Sequence, residues 1–189
     1  MLGRGGGAPQ KPPGGGAGQS GIRPGVRRLV LGGLLGALLA AGQLAMSGLP
    51  NISLTDFLIV VYTLEFPREA PWAVAVFILL EGLLYGFGLW WVMYLYVWYI
   101  LMAAAFLLGR LGVCSAPAWA AACGGFGLVF GALCSLPYLF LGGPAAAFGW
   151  WVAGIRFDLL HCAGNTALTL LLYRPARRAL AAARRAGLF

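Results

Sequence analysis

A chain of 189 residues that is 61% hydrophobic and 10% charged, with a mean hydropathy of +0.85, has too little polar surface for a water-soluble domain and reads as a polytopic membrane protein. Its length allows one membrane domain and excludes an appended soluble catalytic domain. The net charge of +8 comes from basic residues at the two ends and in short loops between apolar runs, where membrane topology places them, which excludes nucleic-acid binding.

Residues 1–27 are rich in Gly and Pro with scattered Arg and Lys, a composition that buries too little apolar surface to offset its ordering entropy, so a disordered basic cytoplasmic tail is expected. Arg27 and Arg28 then precede an apolar run as they would in a signal peptide, but the run from Leu29 to Met46 exceeds a usual signal core. An uncleaved first span is the reading. A span needs about 20 apolar residues to cross about 30 Å of hydrocarbon, and Pro, Gly and charge divide the chain into six candidates: 29–48, 51–66, 72–91, 94–110, 117–140 and 157–174. The fold expected for 28–174 is therefore all-α, a compact bundle of six transmembrane helices. A basic cytoplasmic tail, 175–189, follows.

In the first span Gly33, Ala37, Ala41 and Ala45 recur at every fourth position, beside a second stripe of Gly32, Gly36 and Ala40. Such stripes let another helix approach closely, either inside the bundle or from a partner. The second span is short and carries Asp56 and Glu65, which makes it the weakest of the six. The third holds Glu81 within Leu80-Glu81-Gly82-Leu83-Leu84-Tyr85-Gly86, deep enough to require a proton, a partner or a hydrogen bond. Trp90, Trp91, Tyr94, Tyr96, Trp98 and Tyr99 follow, with Trp150 and Trp151 expected at the same face. These aromatics fit an interfacial belt, or stacking walls for a flat solute.

Arg23, Arg27 and Arg28, Arg68, Arg110, and the five arginines from Arg174 to Arg185 all fall on one side if the spans number six. Both termini are then cytoplasmic. The opposite side holds loops around Pro50–Ser53, Trp90–Tyr94 and Leu141–Phe157, with Arg156 as its one basic residue. Beside it, Asp158, His161 and Asn165 recur at three- and four-residue steps on one stripe of the last span. Polar groups in a bilayer face a partner, a cavity or a ligand, so this stripe is a candidate solute contact, or an internal network in which Asp158 pairs with Arg156 or His161.

Other chemistry finds little support. Cys114, Cys123, Cys134 and Cys162 form no CxxC pair, and one His leaves too few ligands for a metal. Gly-x-Ser-Gly and HExxH motifs are absent, and Gly124-Gly125-Phe126-Gly127 follows no strand, so it reads as close packing rather than a phosphate loop. No cofactor is expected. A structural or assembly protein of the membrane remains an alternative, as does an intramembrane enzyme using Asp158 and His161 as acid and base.

The order of motifs over residues 28–180 resembles the substrate-specific S component of an energy-coupling-factor (ECF) vitamin transporter. The resemblance rests on six short spans, a small-residue stripe in the first helix, Leu64-Glu65-Phe66 before a turn, Leu79 to Gly86, Tyr94-Leu95-Tyr96-Val97-Trp98 and Phe157-Asp158-Leu159-Leu160-His161. It implies a non-enzymatic subunit of the bacterial plasma membrane that captures a vitamin-like micronutrient from outside. Its partners would be a transmembrane coupling protein and two cytoplasmic ATPases. Gly33, Ala37, Ala41 and Ala45 would then dock the coupling protein. The solute would sit near the outer face, with Asn51, Glu81, Tyr85, Trp90, Trp91, Tyr94, Arg156, Asp158, His161 and Asn165 as its candidate contacts. The one exofacial Arg suits a bulky solute bearing an anionic or carbonyl group.

Overall fold

The computed structural model describes residues 24–48 and 52–185, and these are helical throughout apart from short turns. The elements are α1 (Pro24–Ala45), α2 (Thr55–Glu65), α3 (Ala70–Tyr85), α4 (Leu89–Arg110), α5 (Ala116–Cys134) and α6 (Leu136–Arg185). Asn51 and residues 1–23 of the expected tail lie outside the described residues, and α1 takes up 24–27. Pro24 stands at its first helical position, where a missing N–H costs nothing.

The bundle is organised around its shortest member. At 11 residues α2 rises only about 16 Å, half a hydrocarbon core. Eight of its residues, from Thr55 to Thr63, are buried, and it touches α1, α3, α4 and α6. A helix that is apolar all round belongs inside. Asp56 therefore marks a buried core helix rather than a poor span.

Four helices, α1, α4, α5 and α6, are long and apolar enough to cross a membrane, while α3 is a shorter apolar helix of 16 residues. The outer surface carries Leu34 and Leu38, Leu83 and Leu84, Phe140 and Leu171, all exposed, while Thr55, Asp56, Glu81, His161 and Asn165 are buried. Polar inside and apolar outside is the arrangement of a membrane-associated protein.

The largest departure from expectation lies between 134 and 157. The expected external loop, Leu141–Phe157, is helical. α6 reverses at a single residue, Gly143 (φ 77°, ψ −176°), into a short limb, 136–142, and a long limb, 144–185. That positive φ suits glycine, and Pro144 opens the new limb with its pre-set φ. Contacts recede from this corner in step: Tyr138 stacks on Trp150, Gly131 meets Asp158, Gly127 meets Cys162 and Gly124 meets Thr166. The result is an antiparallel hairpin whose glycine face lets α5 press against α6. A Cβ on Gly127 would fall 2.8 Å from the backbone N of Cys162. Gly-Gly-Pro reads as a loop signal, but here it supplies one turn residue.

Pro137 leaves the Leu133 carbonyl without its i+4 donor, and the Tyr96 hydroxyl donates to that oxygen at 2.7 Å, tying α4 to the hairpin. The long limb spans roughly 60 Å at 1.5 Å per residue, twice the hydrocarbon thickness. It stays helical through Pro175 to Arg185, so much of the expected tail extends the last helix. The expected loop Trp90–Tyr94 likewise forms the first turns of α4, after Gly86 (φ 86°) ends α3.

Candidate functional site

A cavity of about 380 Å³ opens at one end of the bundle, where α1, α3 and α5 end and α2 and α4 begin. Five of the ten nominated residues meet there: Glu81, Tyr85, Trp90, Tyr94 and His161. Trp90, Tyr94 and Trp98 stand four residues apart on α4 and line one wall for about 12 Å of helix rise. Their rings meet edge to face, at 5.2 Å between Trp90 and Tyr94 and 5.1 Å between Tyr94 and Trp98. Phe77 stacks on Tyr94 from α3, and Phe130 packs at 5.5 Å from Trp98 and 4.9 Å from His161. These contacts fix the wall before anything binds.

Beneath the cavity lies the hub missed in the sequence. His161 Nε2 is 2.9 Å from Asp56 Oδ2, and Asn165 Nδ2 donates to the same oxygen. Asp56 is fully buried, and the imidazole and amide both serve its Oδ2, which water cannot reach, while Oδ1 has no partner among the described residues. The rule that singled out Asp158, an ionisable group among apolar residues, also applied to Asp56. Gln43 completes the junction. Its Oε1 accepts from Ser53 Oγ at 2.7 Å and Thr55 Oγ1 at 2.9 Å, joining the end of α1 to the start of α2.

Asp158 stays on the stripe but meets a different neighbour. It is buried against α5, accepts the Gly131 N–H at 2.9 Å, and borders a separate recess with Trp150 and Phe157. Arg156 is exposed and lies over the Phe157 ring at 5.0 Å, with no ion pair to Asp158 among the described residues. The expected Arg156–Asp158 pair does not form, because the helical continuation of 144–157 turns the two side chains to different sides. Asn165 serves Asp56 rather than the cavity wall. Trp91 also turns away: its Nε1 donates to the Ile78 carbonyl at 2.9 Å and its ring meets Phe87, which closes the α3–α4 turn over Gly82.

Two polar groups at the cavity remain open. Glu81 Oε1 and Trp98 Nε1 have no hydrogen-bond partner among the described residues, although both side chains are buried and line the space. A buried polar group left open costs about 1–3 kcal/mol, which a bound molecule bearing a donor and an acceptor would recover. Among the described residues no group of three or more His, Cys, Asp or Glu side chains is placed to hold a metal, and the four cysteines are free thiols.

On α1 the two small-residue stripes part. A Cβ on Gly32 or Gly36 would collide with Trp72 or Ala73 of α3, so this stripe packs internally. Ala37, Ala41 and Ala45 are exposed, and nothing lies within 4 Å of a Cβ on Gly33. The chain matches no protein-family model, no curated protein and no solved structure.

Proposed function

We propose that this chain is the solute-binding S component of an ECF-type transporter, a six-helix membrane subunit with both termini cytoplasmic that captures a vitamin-like organic solute at the outer face. The observation that carries this reading is the cavity itself. An aromatic wall, a buried carboxylate with an open oxygen and an imidazole floor converge at the end of the bundle opposite most of the arginines. At about 380 Å³ it lies at the small end of the range for ligand sites, about 300–1,000 Å³. That favours a compact vitamin over one as large as a corrinoid.

Topology agrees. Arg28 reaches Glu69 after α2, Arg177 pairs with Glu65, and Gly109 near Arg110 packs on Leu64, so the basic segments share one end. By the excess of Lys and Arg this end is cytoplasmic, which turns the cavity outward. The open face of Gly33, Ala37, Ala41 and Ala45 is where a coupling protein would dock, with ATPases supplied by partner chains. An assembly role draws support from Asp158 and Asn165, whose bonds are spent inside the bundle.

Mass spectrometry of small molecules retained by the detergent-purified protein separates the two. Retention of one organic solute, lost when the centre of the aromatic wall is removed by Tyr94→Ala, is the expected result. A protein that retains nothing and never co-purifies with a coupling protein and ATPases overturns the transport reading. Ala37→Trp and Ala41→Trp are expected to abolish that co-purification.

A further inference from the structure

The lining of the cavity is one-sided in charge. Among the described residues no Arg or Lys borders it. Facing it are Gln43 from α1, Glu81 from α3, Trp90, Tyr94 and Trp98 from α4, and His161 from α6. His161 is committed to Asp56 at 2.9 Å, so even a protonated imidazole is offset by that carboxylate and brings no net positive charge. Arg156, the one cation expected at this face, lies outside the cavity on Phe157. An anionic solute would meet the Glu81 carboxyl and, among the described residues, no guanidinium in the lining.

Glu81 points the other way. Its side chain is 3% exposed, and Oε1 has no partner among the described residues. A carboxylate oxygen left open beside a cavity is completed by a cation or an N–H donor, and a charge-assisted bond there is roughly twice as strong as a neutral one. The adjoining wall is three indole and phenol rings, the surfaces over which organic cations are held. Trp98, 2% exposed, lines the same wall, and its buried Nε1 has no partner among the described residues, so an acceptor reaching it would complete it.

Resting on the solute-capture reading, we propose that the cavity takes a cationic heteroaromatic solute, its charged or N–H-bearing end on Glu81 and its ring against the wall of Trp90, Tyr94 and Trp98. This replaces the anionic solute that Arg156 suggests from the sequence.

Three probes of one skeleton test it: 1-methylquinolinium, quinoline and quinoline-4-carboxylate, titrated calorimetrically into the full-length protein in detergent after any retained solute has been dialysed away. The cation is expected to bind at least roughly tenfold tighter than quinoline, with the carboxylate weakest. Glu81→Gln should erase the preference between cation and quinoline while quinoline still binds. Trp90→Leu, at a partly exposed position, should weaken both ring probes. A carboxylate that binds tightest, or a cation preference that survives Glu81→Gln, overturns the charge assignment and leaves solute capture standing. Failure of all three probes passes the decision to the retained molecule. A cationic one supports the assignment and a neutral or anionic one overturns it, while a protein that neither binds nor retains anything overturns solute capture as well.

Discussion

The five acidic residues divide between the two ends of the bundle, and the ends treat them differently. Where α2 turns into α3, Glu65 pairs with Arg177 and Glu69 faces Arg28 at 4.0 Å. Toward the cavity, Asp56, Glu81 and Asp158 are buried, and no arginine reaches them among the described residues. Among the described residues each has one oxygen without a partner; the other oxygen of Asp56 is held by an imidazole and an amide and that of Asp158 by a backbone N–H, while Glu81 lines the cavity. Water shares the stabilisation of charge at the first end. At the second each contact stands alone in a low dielectric, so each is worth more when made and costs more when missing. The difference separates Asp56, bonded to two side chains of the last helix, from Glu81, which on the proposed reading meets the solute.

Asp56→Ala probes the contrast most strongly. It strands His161 and Asn165 in the interior, and breaking a buried pair of this kind is expected to destabilise by about 3–5 kcal/mol. Thermal unfolding in detergent checks it, and a change under about 1 kcal/mol would remove the hub from the account. Asp56→Asn keeps the shape and one acceptor and should fall between.

The hairpin that positions His161 comes next. Gly127→Ala places a Cβ against the backbone of His161 and Cys162, which neither helix can relieve without parting, and is expected to cost about 1–3 kcal/mol. Gly125→Ala faces open space on the same helix and should be neutral or stabilising by up to about 1 kcal/mol. If both glycines respond alike, helix propensity rather than close approach governs the hairpin.

Glu81→Gln is expected to behave unlike Asp56→Ala despite similar burial. Among the described residues no side chain bonds its open oxygen, so unfolding should move by less than about 1 kcal/mol while cation binding falls roughly tenfold. Loss of stability comparable to that of Asp56→Ala would make Glu81 a structural carboxylate.

Much of this division is visible in the sequence, though not all of it. Apolar runs and their breaks give six helices, and the aromatic run after Glu81 supplies the residues of the wall, because spacing along one helix is local information. The Asp56 hub joins residues 109 positions apart, and no local pattern announces that pairing. The fate of the polar stripe was hidden for a related reason. Asp158, His161 and Asn165 share a helix face, but two neighbours, α5 and α2, divide it between them. Gly142-Gly143-Pro144 carries every sign of a loop, and only tertiary packing turns it into a one-residue corner with helix on both sides. Arg156, expected on that loop, instead lies over the Phe157 ring and outside the cavity lining.

The smallest effects belong to the arginine end. Arg28 is 48% exposed and its guanidinium reaches Glu69 only at the 4.0 Å limit, so Arg28→Ala should change stability by less than about 0.5 kcal/mol. Arg177 is 45% exposed but pairs closely with Glu65 and lies over the Tyr173 ring at 5.9 Å. Its truncation removes an ion pair and ring packing together, and about 0.5–1 kcal/mol is expected. Salt separates the two ends further. At 1 M the Debye length is about 3 Å, so the Arg177 contribution should shrink while the Asp56 contribution holds, because the Asp56 carboxylate is fully buried beneath His161. Unfolding of the two variants at low and high salt therefore measures directly how differently the ends are solvated, and equal salt sensitivity would mean that the Asp56 hub is open to water.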